Sequence, residues 1–289
     1  MSAVGSQPFN VVSVINQSFG VTRRNLGGFV LITLLVIIAA IIVGAILGSI
    51  FFGSAMMAGM GGGLGTGEMS PAGMMSLGFT AVIGSILMLV LVMAIQQLGV
   101  AAITYGAVQD LRSRTVSVGE CLSRGLGLMF PVLGVALLCT LLTAAVPMLV
   151  GYILEMVSPT LARVVNFILQ AAAWLILYVA IPVAVIEQPG AVASLKRSVH
   201  LTEGYRFCIL WMGFLIGLIG LAVGAVIGLL FYLLFTISSA LASIIAVLAG
   251  IAITLLFVSY AAALPAVTYY NLRVAKEGTD IVEIGKVFD

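Results

Sequence analysis

An all-α integral membrane protein is the fold class this sequence predicts, with six transmembrane helices as three hairpins, each preceded by a cytoplasmic interfacial amphipathic helix. Three observations lead there. The chain is 62% hydrophobic and 8% charged, with mean hydropathy +1.29, whereas soluble domains carry about 25% charged residues. Six runs reach the roughly 20 apolar residues that cross hydrocarbon: Leu26 to Phe52, Leu77 to Val108, Leu128 to Leu154, Val165 to Ile186, Cys208 to Phe235 and Leu241 to Tyr270. The most polar stretch, Glu187 to Phe207, recurs in weaker form ahead of the other two hairpins.

That stretch, EQPGAVASLKRSVHLTEGYRF, places Val192, Leu195 and Val199 at i, i+3 and i+7, one apolar helical stripe with Lys196, Arg197 and Glu203 off it. Val12, Ile15 and Phe19 repeat the spacing, and Ser18 and Thr22 match Ser198 and Thr202. A poorer copy lies around Val118, Cys121, Leu122 and Arg124. The repeat divides a single membrane domain, 1–289, into units of about 9–108, 115–186 and 190–273, with a tail over 274–289. Such repeats pack about an axis along the membrane normal.

Taken in order, Met1 to Pro8 reads as a disordered start and Phe9 to Thr22 as the first interfacial helix. The opening residues hold no apolar core followed by a small-residue cleavage site, so the first span stays as an anchor. Gly44 and Gly48 in that span form a small-xxx-small pair that permits close helix contact. Gly53 to Met75, rich in Gly and Met, reads as a flexible external loop. Met56, Met57, Met60, Met69, Met74 and Met75 are soft ligands for copper(I), but no His or Cys stands near them, so no metal or other cofactor is expected. Gln96 and Gln97 in the second span, with Asn166 and Gln170 in the fourth, are amides that need partners in lipid, and interhelical packing is the role they suggest. Pro131 and Pro147 in the third span, Pro182 in the fourth and Pro265 in the sixth should bend their helices. In the fifth span Gly213, Gly217, Gly220, Gly224 and Gly228 line a nearly continuous small face, expected to pack within the chain ahead of dimerisation. Asp280 with Glu283 resembles a capping box opening an amphipathic turn in the tail.

Charge sets the expected orientation. Of the twelve Lys and Arg residues only Arg163 falls on one side, so the other eleven share the opposite face, which the positive-inside rule assigns to the cytoplasm. Both termini and all three amphipathic segments are then cytoplasmic, in a multi-pass protein of a bacterial inner membrane. A net charge of +2, with no basic run interleaved with aromatics, excludes nucleic acid as a partner. Cys121, Cys139 and Cys208 are odd in number and widely spaced, which indicates neither a disulfide framework nor a metal motif.

Missing chemistry narrows function further. No ionisable residue falls in the central part of any span, where proton- or ion-coupled carriers place at least one. His200 is the sole histidine, no P-loop occurs, and a lipid-acting enzyme would need Glu187, His200, Glu203 and Arg206 to converge on one pocket. No catalytic residue is assigned, and the chain is not expected to be an enzyme.

SLKRSVHLTEGYRF, Ser194 to Phe207, and YYNLRVAKEGTDI, Tyr269 to Ile281, resemble two stretches of the membrane domain attached to some bacterial glycerophosphodiester phosphodiesterases, a domain type that also occurs alone. With Asp289 following soon after Ile281, the barrel-shaped catalytic domain is not expected in this sequence. The resemblance therefore implies a six-helix membrane module without the enzyme and carries over no catalytic residues.

The functional expectation is a non-enzymatic module that organises or senses lipid, or serves as the membrane subunit of a partner protein or of a homo-oligomer. Arg23, Arg24, Lys196, Arg197 and Arg206 are the candidate ligands for anionic headgroups, at roughly 1 kcal/mol each near an anionic surface. The alternative is a transporter or channel for a small or lipid-like substrate, which a polar-lined cavity reaching Gln96 or Gln97 would favour.

Overall fold

The computed structural model describes residues 9–61, 71–237 and 239–278. Helices account for nearly all of them: α1 (Val11–Arg24), α2 (Leu26–Gly61), α3 (Pro71–Leu111), α4 (Val118–Thr140), α5 (Val146–Glu155), α6 (Pro159–Leu177), α7 (Ala180–Ile186), α8 (Ala191–Thr202), α9 (Arg206–Ile237) and α10 (Ser239–Glu277). No strand occurs among the described residues. Six helical stretches are long and apolar enough to span a membrane: Leu26–Phe51, Val82–Leu111, Met129–Glu155, Pro159–Ile186, Arg206–Thr236 and Ser243–Glu277. The fold is all-α and of the multi-pass membrane class.

Three details differ from the sequence reading. α2 continues to Gly61 and α3 resumes at Pro71, so much of the expected external loop is helical. The side chains of the six loop methionines, and the capping box at Asp280 and Glu283, lie outside the described residues. The middle unit has no separate interfacial helix, because α4 runs unbroken from Val118 into the third span. That span then passes through a π segment, Leu141–Ala145, just ahead of Pro147, which has no N–H to give an α-helical bond.

Pro182 breaks the fourth span outright: α6 stops at Leu177 and α7 begins at Ala180. The break leaves the Ile176 carbonyl to accept from Ser198 Oγ of α8 at 2.8 Å. Pro265, in contrast, lies inside an unbroken α10.

Burial is lopsided. Nearly every fully buried side chain, including Phe29, Ile103, Leu201, Ile209, Met212 and Leu272, lies at the end that carries α1 and α8, here termed the collar. At this level α1 buries Val14, Ser18 and Val21, α4 buries Cys121, Gly125 and Leu128, and α8 buries Ser194, Ser198 and Leu201. All three sets share i, i+4, i+7 spacing, so the repeat is a packing repeat. What docks is a stripe of small and hydroxyl side chains, whose hydroxyls donate to carbonyls: Ser18 to Val14 at 2.7 Å, Thr22 to Ser18 and Thr202 to Ser198, both at 2.9 Å. The expected apolar stripes split: Val12 (58%), Phe19 (62%) and Val192 (60%) are exposed, whereas Leu195 is buried and Ile15 packs against the core.

Close helix contact depends on different glycines from those expected. A Cβ on Gly125 would stand 2.9 Å from the Leu98 carbonyl oxygen and 3.1 Å from Ala102 Cβ, so α4 lies against the backbone of α3. Gly99 and Gly106 of α3 meet Val36 and Phe29 of α2 in the same way, each at 2.9 Å. In α9 only Gly213 has a neighbour, Trp174 at 3.4 Å, while Gly217, Gly220, Gly224 and Gly228 have nothing within 4 Å. The glycine face of the fifth span therefore does not pack within the chain, correcting that expectation, and Gly48 is equally open. Repeated spacing shows that a close approach is permitted; the partner decides whether it happens.

Substituting Gly125 by Ala should cost about 1–3 kcal/mol, the usual penalty of overpacking, and lower the thermal midpoint in detergent. Gly220→Ala should stay within about 0.5 kcal/mol of the unsubstituted chain. Equal midpoints for the two variants would contradict this assignment of close contacts.

Candidate functional site

The five candidate headgroup ligands fall into two groups. Arg24 is neutralised by Asp110, which accepts from its NH2 at 2.5 Å and from Nε at 3.2 Å, and which also receives the Asn25 amide at 2.8 Å. Arg197 is the centre of a clasp. Its guanidinium bonds Glu187 at 3.1 Å, in the turn between α7 and α8, and Glu277 at the end of α10. Arg273 completes the clasp by bonding Glu277 at 2.9 Å and the Tyr269 hydroxyl at 3.2 Å, while that hydroxyl donates to Glu187 at 2.7 Å. Arg24 and Arg197 therefore hold the collar together and are corrected from free headgroup ligands to structural cations. Arg23, Lys196 and Arg206 are exposed and make no ion pair with any described residue.

The residues proposed for lipid chemistry do not assemble a catalytic cluster. Glu187 is engaged in the clasp, while His200 and Glu203 form an exposed pair 4.0 Å apart.

Sequence reasoning passed over a second polar site at the collar ends of α3 and α4. Tyr105 and Gln109 stand one turn apart on α3, and Glu120 and Arg124 one turn apart on α4. Ser113, at φ 57°, turns the chain between them, and the Arg114 N–H closes the turn on the Gln109 carbonyl at 3.0 Å. With Thr115 these residues line a cavity of about 510 Å³. The Tyr105 hydroxyl donates to Glu120 at 2.6 Å and accepts from Gln109 Nε2 at 2.7 Å, and Arg124 sits over the Tyr105 ring, 5.9 Å from its centroid. Gln109 Oε1 is buried without a hydrogen-bond partner. Nearby, Arg112 Nε is likewise buried and unpartnered, and burial, with Arg114 and Arg273 close by, lowers the affinity of that guanidinium for its proton. The legible signal was the pair of i, i+4 spacings on either side of a short basic turn.

The intramembrane amides separate. Gln96 is exposed and faces away from the bundle interior, against expectation. Gln97 lines a cavity of about 440 Å³ with Thr140, Thr143, Trp174 and Tyr178, and its Oε1 is buried without a partner. Gln170 lines a neighbouring cavity of about 450 Å³ that shares Thr143 and Trp174 with the first. Neither Gln97 nor Gln170 supplies the interhelical hydrogen bond expected of it among the described residues. Asn166 packs instead against Gly151, with its Oδ1 buried and unpaired. The π segment places Thr143 where the two cavities meet. Among the described residues no group of His, Cys, Asp and Glu could hold a metal ion.

Arg197→Gln would leave the partly buried Glu187 carboxylate without a cation, with Glu277 still held by Arg273, and should lower stability by about 1.5–3 kcal/mol. Arg23→Gln should change it by less than about 0.5 kcal/mol. Thermal unfolding of the two variants in one detergent separates the structural cation from the free one.

No family model, no curated protein and no solved structure matches this chain.

Proposed function

We propose that this chain is a non-enzymatic module of a bacterial inner membrane that binds and organises lipid, with its collar at the cytoplasmic face. The observation that carries the reading is the composition of the collar surface. α1 and α8 expose Val12, Phe19, Val192 and Val199 beside the unpaired cations Arg23, Lys196 and Arg206. Apolar side chains that enter the acyl boundary next to cations at headgroup level favour an anionic leaflet. The resemblance of Ser194 to Phe207 and Tyr269 to Ile281 to a membrane domain that accompanies phosphodiesterases supports the same reading, and a module of this kind also suits the role of membrane subunit to a partner protein.

Replacing Arg23, Lys196 and Arg206 together with Gln should reduce retention of phosphatidylglycerol in native mass spectrometry from nanodiscs, at roughly 1 kcal/mol per cation. Retention equal to that of the unsubstituted protein would count against the reading.

A second reading, a carrier for a lipid-like substrate, draws on the paired cavities that connect Gln97 to Gln170 through Thr143 and Trp174. In a Trp211→Phe variant Trp174 is the remaining tryptophan, and brominated phospholipid should quench it strongly if acyl chains enter that cleft. Weak quenching, matched by that of a soluble tryptophan analogue, would remove the support.

A further inference from the structure

The pocket between α3 and α4 carries the complement of a zwitterion. Arg114 and Arg124 present guanidinium groups that make no ion pair with any described residue, and Thr115 adds a hydroxyl. Guanidinium forks match phosphate oxygens in geometry as well as in charge. Glu120, one turn before Arg124 on α4, also has no cationic partner among the described residues. Tyr105 fixes its carboxylate through the 2.6 Å hydrogen bond, and Gln109 Nε2 is spent on the same hydroxyl, which leaves Gln109 Oε1 as a buried acceptor with no donor. That fixed carboxylate, held on the Tyr105 hydroxyl, selects a donor that is also a cation.

An ammonium group meets the carboxylate, and a phosphate meets the two guanidiniums. We propose that this pocket binds the phosphoethanolamine headgroup of a phospholipid, with phosphate on Arg114, Arg124 and Thr115 and ammonium on Glu120. A purely anionic headgroup would leave Glu120 uncompensated beside the added negative charge. The lipid source follows from α4, which runs from the pocket straight into the third span. One and two turns beyond Arg124 on the same face stand Gly127 and Pro131, both exposed, and nothing lies within 4 Å of a Cβ at Gly127. That strip leaves a clear path for an acyl chain below the headgroup. The proposal deepens the lipid-binding reading and rests on it.

Native mass spectrometry of the full chain, released from nanodiscs of equal phosphatidylethanolamine and phosphatidylglycerol, tests the assignment. One phosphatidylethanolamine should be retained in preference. Glu120→Gln keeps an acceptor for Tyr105 and should reduce that preference about tenfold while total retention persists. Arg114→Gln with Arg124→Gln should lower phosphatidylethanolamine retention by a similar factor, and the Arg114→Lys, Arg124→Lys pair should restore part of it. Circular dichroism and elution volume establish that each variant is folded. An unsubstituted protein with no preference, or a ratio unchanged by Glu120→Gln, overturns the proposal. Soluble O-phosphoethanolamine bound as tightly as the lipid in lipid-free detergent overturns the lipid assignment. The Arg23, Lys196, Arg206 triple variant separates this proposal from the broader one. Loss of phosphatidylglycerol in that variant beside an inert Glu120→Gln leaves the collar reading standing and removes the pocket.

Discussion

A carbonyl set free inside a membrane protein has few places to turn, and the arrangement of this collar follows from one such group. Pro182 cannot donate to the Tyr178 carbonyl, the fourth span breaks after Leu177, and the Ile176 carbonyl at that break takes a hydroxyl within the protein. Ser198 supplies it. That bond fixes α8 with its hydroxyl stripe inward, which in turn sends Val192 outward and brings Arg197 between Glu187 and Glu277. α1 repeats the solution with Ser18 and Thr22, whose hydroxyls bond their own helix and so add little volume to the contact. The two helices pack as small-faced pegs, a mode available where lipid offers no water to drive apolar faces together.

Much of this was legible in the sequence, though for partial reasons. The six spans were set by length and hydropathy, two properties that leave little choice in hydrocarbon. The coincidence of Ser18 with Ser198 and Thr22 with Thr202 marked the repeat correctly, but the apolar stripe beside them attracted the functional interpretation. In a soluble helix that whole stripe would be the docking face; here only Leu195 and Ile15 of it turn to the protein. The glycines of α9 do not pack as expected because periodicity records where approach is sterically permitted, whereas Gly99 and Gly106, two turns apart on α3, and Gly125 on α4 carry the actual contacts without forming a repeated run.

The ionic groups show a similar limit. Arg24 and Arg197 cannot be told from Arg23 and Lys196 by type or by neighbours in sequence. Their acceptors, Asp110 and Glu277, arrive from distant helices, so the distinction exists only once the chain is folded. The pocket at Tyr105, Gln109, Glu120 and Arg124 was closer to readable, since both of its walls are single helical turns. The short basic turn between them reads equally well as an orientation signal, so its charges alone do not mark a site.

The uneven burial has a mechanical consequence. From Gly217 to Val226 every residue of α9 is exposed and none is buried, while its collar end is anchored through Ile209 and Met212 and its far end runs directly into α10. Bending that stretch sideways would exchange one set of lipid contacts for another at the cost of few buried protein contacts. The stiffness of the far half is then set by the bilayer more than by the fold, and its resting angle becomes a property of the lipids around it.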